Sequence, residues 1–300
     1  MLLDQGLGSM PIEMVTRIVQ WLNPTDKLNT ALSHIGIAGI IVNLLPRIRA
    51  LRIGVSSDDL KGKIEGDTAD ITAPRISEDE RRAILNLLMP YLVETIESLH
   101  LENELINEEI SDEQLATFLQ FTRNSPLREL VLTEIDLEHI HTWTLALFAR
   151  FTNLEKVEID GCKLGNSTEA SLLRSLSSSF QTLTQIDLKG TPQITDQFSR
   201  RISRSCPNLS YFRISGCPLV TTLSALPLIE STAMRRTDKL DVHMDNTDFD
   251  ANQLQSFMRS PLFGSSSSEW SLESVTVPLG YNKPAVLALH SSRKYVLIFV

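Results

Sequence analysis

Residues 206–217 read CPNLSYFRISGC, and within them the hexamer LSYFRI from Leu209 carries apolar side chains at its first, fourth and sixth positions. The same spacing recurs on both sides. Upstream stand LTQIDL from Leu183, LEKVEI from Leu154, LRELVL from Leu127 and IESLHL from Ile96; downstream stands LESVTV from Leu272. TDKLDV from Thr237 keeps the fourth and sixth positions, and IRALRI from Ile48 fits as an early copy. Successive starts from Ile96 lie 31, 27, 29, 26, 28 and 35 residues apart. One such hexamer is cheap in any apolar sequence. A run at near-constant spacing marks a repeat architecture, in which each unit buries its apolar side against its neighbours.

The segments between the hexamers read as short amphipathic helices. Ser77 with Glu80, and Ser111 with Gln114, have capping-box spacing, and Leu115, Phe118, Leu119 and Phe121 follow the second pair. Thr195 opens a stretch with Phe198 and Ile202 that ends at Cys206-Pro207. Strand and helix alternate, so an α/β solenoid is expected. The last eight residues, RKYVLIFV, are apolar and β-forming. They are expected as a terminal strand that closes the repeat sheet and covers an aggregation-prone edge.

The run CPNLSYFRISGC, with GTPQITD at 190–196, resembles the cysteine-containing subclass of leucine-rich repeats. Cys162 stands at the matching cysteine position after the strand at 154–159, and Thr191 replaces it after 183–188. The resemblance implies a parallel sheet on the concave side of a solenoid and helices on the convex side. The cysteines read as small buried apolar groups at the strand-to-helix turn.

The first fifty residues have a different pattern. Met14, Ile18 and Leu22 share one helical face with Val15 and Val19 beside it, and Asn23-Pro24-Thr25-Asp26 is a turn leading to a second helix with Leu28, Ala31 and Leu32. Met10-Pro11-Ile12-Glu13, Ile18/Leu22 and Pro24-Thr25-Asp26-Lys27-Leu28 resemble an F-box, although LSHIGIAG replaces the usual aromatic-containing run that follows. The expected organisation is an F-box-like helical domain over 9–47. A leucine-rich-repeat domain of about seven to eight irregular repeats would follow over 48–300, with a hydrophilic insertion near 54–76. An F-box before cysteine-type repeats is similar to the F-box/leucine-rich-repeat substrate receptors of SCF ubiquitin ligases. That resemblance implies the Skp adaptor and cullin scaffold as partners. Pro11, Ile18, Leu22 and Leu28 would bind the adaptor. The alternative is a leucine-rich-repeat protein-binding scaffold with no ubiquitin role, whose N-terminal helices merely cap the solenoid.

Composition narrows the classes. Lys+Arg of 28 against Asp+Glu of 37 gives a net charge of −9, which argues against phosphate neutralisation on nucleic acid. The 3 cysteines are too few and too odd in number for a disulfide framework, and none forms a C-x-x-C pair. MLLDQGLGSM lacks the basic and apolar regions of a signal peptide. The longest apolar run, residues 35–45, is shorter than the roughly 20 residues of a membrane span. A cytoplasmic or nuclear location, away from membranes, is therefore expected. So is the absence of catalytic residues, cofactors and metals. His139 and His141 have no third ligand nearby, and the calcium-like start at Asp248 fails at Gln253 and Arg259, where Gly and Glu are required.

Alternation along the strands points the residues beside the fourth and sixth positions away from the core. Among them Tyr211 and Arg213 are of the residue types enriched in interface hot spots. Glu158, Asp160 and Asp187 add negative charge beside them. These five are the candidate target-binding residues, for a segment of mixed or basic character in a target protein.

Overall fold

A computed structural model describes residues 10–22, 26–27, 30–31, 35–42, 50–55, 60–61, 68–70, 96–102, 112–121, 125–231, 235–259, 271–275, 286–291 and 294–299. The chain divides into two compact units, Met1–Leu127 and Arg128–Val300. It is α/β.

In the first unit, helix α1 (Ile12–Gln20) begins after Pro11, whose ring restricts φ and has no N–H to leave unpaired. Val15 and Val19, four residues apart, turn inward and are buried. Helix α2 (Ile35–Val42) buries Ile37, Ala38 and Ile41. The four strands that follow are β1 (Ala50–Val55), β2 (Leu60–Lys61), β3 (Thr68–Asp70) and β4 (Ser98–Glu102). β1 pairs antiparallel with β2 and parallel with β3 and β4. β4 buries Leu99 and Leu101, while Ser98, His100 and Glu102, which alternate with them, are half-buried. Helix α3 (Asp112–Phe121) buries Leu115 and Leu119 and carries Asp112 and Glu113 in its first turn, where carboxylates favour the helix dipole. The Ser77–Glu80 pair, Ser111 and Leu28 lie outside the described residues.

The second unit alternates strand and helix. Its elements are β5 (Glu129–Thr133), α4 (Thr142–Leu145), β6 (Lys156–Asp160), α5 (Asn166–Leu176), β7 (Gln185–Asp187), α6 (Asp196–Ser205), β8 (Tyr211–Arg213), α7 (Ala225–Glu230), β9 (Lys239–His243), α8 (Ala251–Arg259), β10 (Ser271–Val275), β11 (Val286–Ser291) and β12 (Lys294–Phe299). β5 to β9 pair in chain order and all in parallel, and β12 adds a sixth parallel strand beside β9. Each helix between them is the crossover that a parallel connection requires. The fourth and sixth hexamer positions form the inner side: Leu130, Leu132, Val157, Ile159, Ile186, Leu188, Phe212 and Ile214 are all buried. Thr195 caps α6 by accepting from the Gln197 N–H, and Phe198 and Ile202 of that helix are fully buried.

Each inner strand ends in a residue with a left-handed backbone: Glu134, Gly161, Gly190, Gly216 and Asn246, with φ between 55° and 68°. Their N–H groups tie one repeat to the next. Glu134 donates to the Asp160 carbonyl at 2.7 Å, Gly161 to Lys189 at 2.9 Å, Gly190 to Ser215 at 2.9 Å and Gly216 to Asp245 at 2.8 Å. A Cβ built on Gly190 would lie 3.5 Å from the Gly161 backbone, an ordinary contact. Gly190→Ala therefore carries only the left-handed penalty of about 1–2 kcal/mol. Its urea midpoint is expected to fall accordingly, with an unchanged slope.

The C-terminus differs from the expected order. β12 does not lie at the edge of the sheet. It sits between β9, with which it is parallel, and β11, with which it is antiparallel. β10, which contains the start of the LESVTV copy, pairs antiparallel with β11 and so does not continue the parallel series. β11 and β12 pair antiparallel, and an antiparallel pairing of successive strands reverses the chain.

Candidate functional site

The outward side of β5 to β9 is a polar face whose rows follow from the pairing register. One row runs Glu129, Lys156, Gln185, Tyr211 and Asp241; the next runs Val131, Glu158, Asp187, Arg213 and His243. The alternation is regular on β6, where Lys156, Glu158 and Asp160 flank buried Val157 and Ile159. It lapses on β5, where Val131 is buried although it occupies an outward position.

Ion pairs lace this face. Lys156 Nζ lies 2.7 Å from Glu129 and 3.1 Å from Glu158. Burial works to lower the Lys156 pKa, but its bonds and attraction to those two carboxylates outweigh burial and hold it above its ordinary value. Lys189 pairs with Asp160 at 3.0 Å, Arg213 with Asp187 at 3.5 Å and Lys239 with Asp241 at 2.9 Å. Arg213 Nε also donates to Ser215 Oγ at 3.3 Å. Burial raises the Asp187 pKa, opposed chiefly by Arg213. The ring of Tyr211 lies against that of His243, centroids 5.1 Å apart and planes tilted by 39°. Burial lowers the His243 pKa and Arg213 lowers it further, against Asp245 and Asp241.

All five candidate target-binding residues thus share one face, with Tyr211, Arg213 and Asp187 in adjacent positions on β7 and β8. Glu158, Asp160 and Asp187 are each engaged by a cation of the chain itself. His243 is the member that the sequence pattern misses as a neighbour of Tyr211. The hexamer starts at Leu209 and Thr237 would set Tyr211 beside Lys239, whereas the register sets it beside Asp241, two residues further on.

A second surface lies on α1. Met14 and Ile18 are exposed at 52% and 40%, and Trp21, just beyond the helix, at 90%. Spaced i, i+4 and i+7, they form one apolar stripe beside the inward Val15 and Val19. Pro11 is exposed and Leu22 half-buried, while Leu28 lies outside the described residues.

The cysteines are buried and take no part in the polar face. Cys162 and Cys217 are fully buried, and their thiols donate to the Leu132 and Leu188 carbonyls at 3.5 and 3.2 Å. Thr191, at the equivalent turn, donates to the Ile159 carbonyl at 3.4 Å. Burial pushes the thiols of Cys162 and Cys206 up to about 12 and that of Cys217 to about 11. Since the thiolate is the reactive form, all three thiols are expected to resist a thiol reagent at pH 8 and to react at once in denaturant, as a colorimetric titration would read. Fast reaction of a native thiol would contradict the packing.

Among the described residues no group of three or more His, Cys, Asp or Glu is placed to hold a metal, and no helix is long and apolar enough to cross a membrane. No protein-family model matches the chain, and no curated protein matches it.

Proposed function

We propose that this chain is the substrate-recognition subunit of an SCF-type ubiquitin ligase, with F-box-like helices that bind the Skp adaptor and leucine-rich repeats that bind a target protein. The observation that carries the reading is the exposed apolar stripe of Met14, Ile18 and Trp21 on α1. A short helix that packs inward through Val15 and Val19 and still presents large apolar groups to water is built to meet a second surface.

Support for the repeat class comes from the second unit. The parallel strands β5 to β9 add in chain order, and Cys162, Thr191 and Cys217 make the same hydrogen bond to the preceding repeat. In this reading the parallel sheet is the concave lining of a leucine-rich-repeat solenoid and the helices are its convex side. The protein has no active site of its own; it contributes proximity by holding a target near partner enzymes attached through the cullin scaffold. It works in the cytoplasm or nucleus.

The test is co-purification of the full chain with a Skp adaptor. Retention on adaptor beads supports the reading, whereas no retention at micromolar concentrations leaves a repeat scaffold with no ubiquitin role.

A further inference from the structure

We propose that the polar face of β5 to β9 captures a basic segment of a partner protein, with a lysine or arginine side chain of that segment laid over Tyr211 and His243. This deepens the target-docking reading and rests on it.

The charge of the face decides between a basic and an acidic occupant. Its outward positions from β5 to the turn after β9 hold six carboxylates, namely Glu129, Glu158, Asp160, Asp187, Asp241 and Asp245. They hold four cations, Lys156, Lys189, Arg213 and Lys239, an excess of two negative charges (6 − 4) that falls on β5 and β6. Every one of those cations is already held by a carboxylate of the face. An acidic segment would have to break one of these pairs to gain a partner. A basic segment meets the excess directly, and Asp245 stands outside all of the pairs, close enough to Tyr211, Arg213 and His243 to act on each of them.

The aromatic pair supplies the second component. Tyr211 and His243 are both half-buried, so they are partly stripped of water and still offer surface. Asp241 pairs with Tyr211 across β8 and β9, and Arg213 pairs with His243. A phenol face attracts a cation, more strongly where water is partly excluded. With strands about 4.8 Å apart, β5 to β9 span roughly 20 Å, so a segment laid across them can set one basic side chain over Tyr211 and His243 and others at the carboxylates of β5 and β6.

The experiment uses the full chain and two fluorescein-labelled ten-residue probes, one alternating lysine with serine and one alternating glutamate with serine, followed by anisotropy at low salt. The lysine probe is expected to bind and the glutamate probe not. Asp241→Asn with Asp245→Asn should weaken the lysine probe about tenfold, and Tyr211→Leu about threefold, on the scale of one cation–π contact. Because the chain carries −9 overall, Glu138→Gln with Glu230→Gln serves as the control, two exposed carboxylates off this face. Equal weakening by that control pair, or equal binding of both probes, overturns the proposal. The assay does not involve the adaptor. A failed probe with intact adaptor capture rejects the basic segment alone; a bound probe with no adaptor capture rejects the ubiquitin reading alone.

Discussion

Removal of residues 293–300 is expected to yield an insoluble or partly unfolded protein. The segment contains β12, which is held on both sides: Tyr295–Phe299 pairs with Lys239–His243, and Lys294–Phe299 pairs with Val286–Ser291. Val296 and Ile298 reach the core and are 0% and 1% exposed. Burying two such side chains is worth about 3–6 kcal/mol in total, and the backbone ladder adds about 1 kcal/mol net per hydrogen bond. Set against a typical total of 5–15 kcal/mol, the loss is large. It also strips the partner from β9, leaving a raw edge beside buried Leu240, Val242 and Met244. β10 and β11 lose their attachment to the parallel strands at the same time. Val296→Asp tests the same point without truncation, since it places an unpaired carboxylate in the core. A soluble product that melts cooperatively at the wild-type midpoint would show that the parallel strands do not need β12.

The contrast between β12 and β10 shows where the sequence pattern stops. Apolar residues at alternate positions state which side of a strand faces the core, because that is a property of one strand. They do not state which strand lies next. Residues 272–277 satisfy the repeat spacing as well as residues 209–214 do, yet the antiparallel pairing of β11 with β12 brings β12 to β9 and leaves β10 beyond it.

Register on β9 fails in the same way. A slip of two residues leaves the inward set unchanged, and Leu240, Val242 and Met244 are all buried. The hexamer therefore fits at Thr237 or at Lys239. The turn residue resolves it: Gly190, Gly216 and Asn246 all have positive φ, and the step from Gly216 to Asn246 is 30 residues, the same as from Tyr211 to Asp241. An asparagine is among the few non-glycine residues that adopt this conformation readily. Aligning the repeats on that position places His243 beside Arg213 and Tyr211. Glu134 at the first such turn gives no composition signal, because glutamate has no preference for it. Tyr211, Arg213 and Asp187 were legible as one patch because they lie on strands whose hexamers align without a slip.

On the first unit the decisive variant is Met14→Asp with Ile18→Asp. Both side chains are exposed, so the substitution leaves Val15 and Val19 in place and the helix folded. Against an adaptor, each loses an apolar burial of roughly 1.5–3 kcal/mol. Together they remove about 3–6 kcal/mol, on the order of a hundredfold to ten-thousandfold in affinity. Adaptor capture is expected to vanish, while the circular-dichroism spectrum and melting midpoint stay those of the wild type. The complementary variant, Val19→Asp, should fail differently, by unfolding α1 itself, because Val19 is 1% exposed. If the surface pair alone abolishes capture, the stripe is an interface; if only Val19→Asp does, α1 matters to the protein through its own packing and the adaptor reading fails. The difference between those results separates a docking helix from a helix that merely caps the repeats.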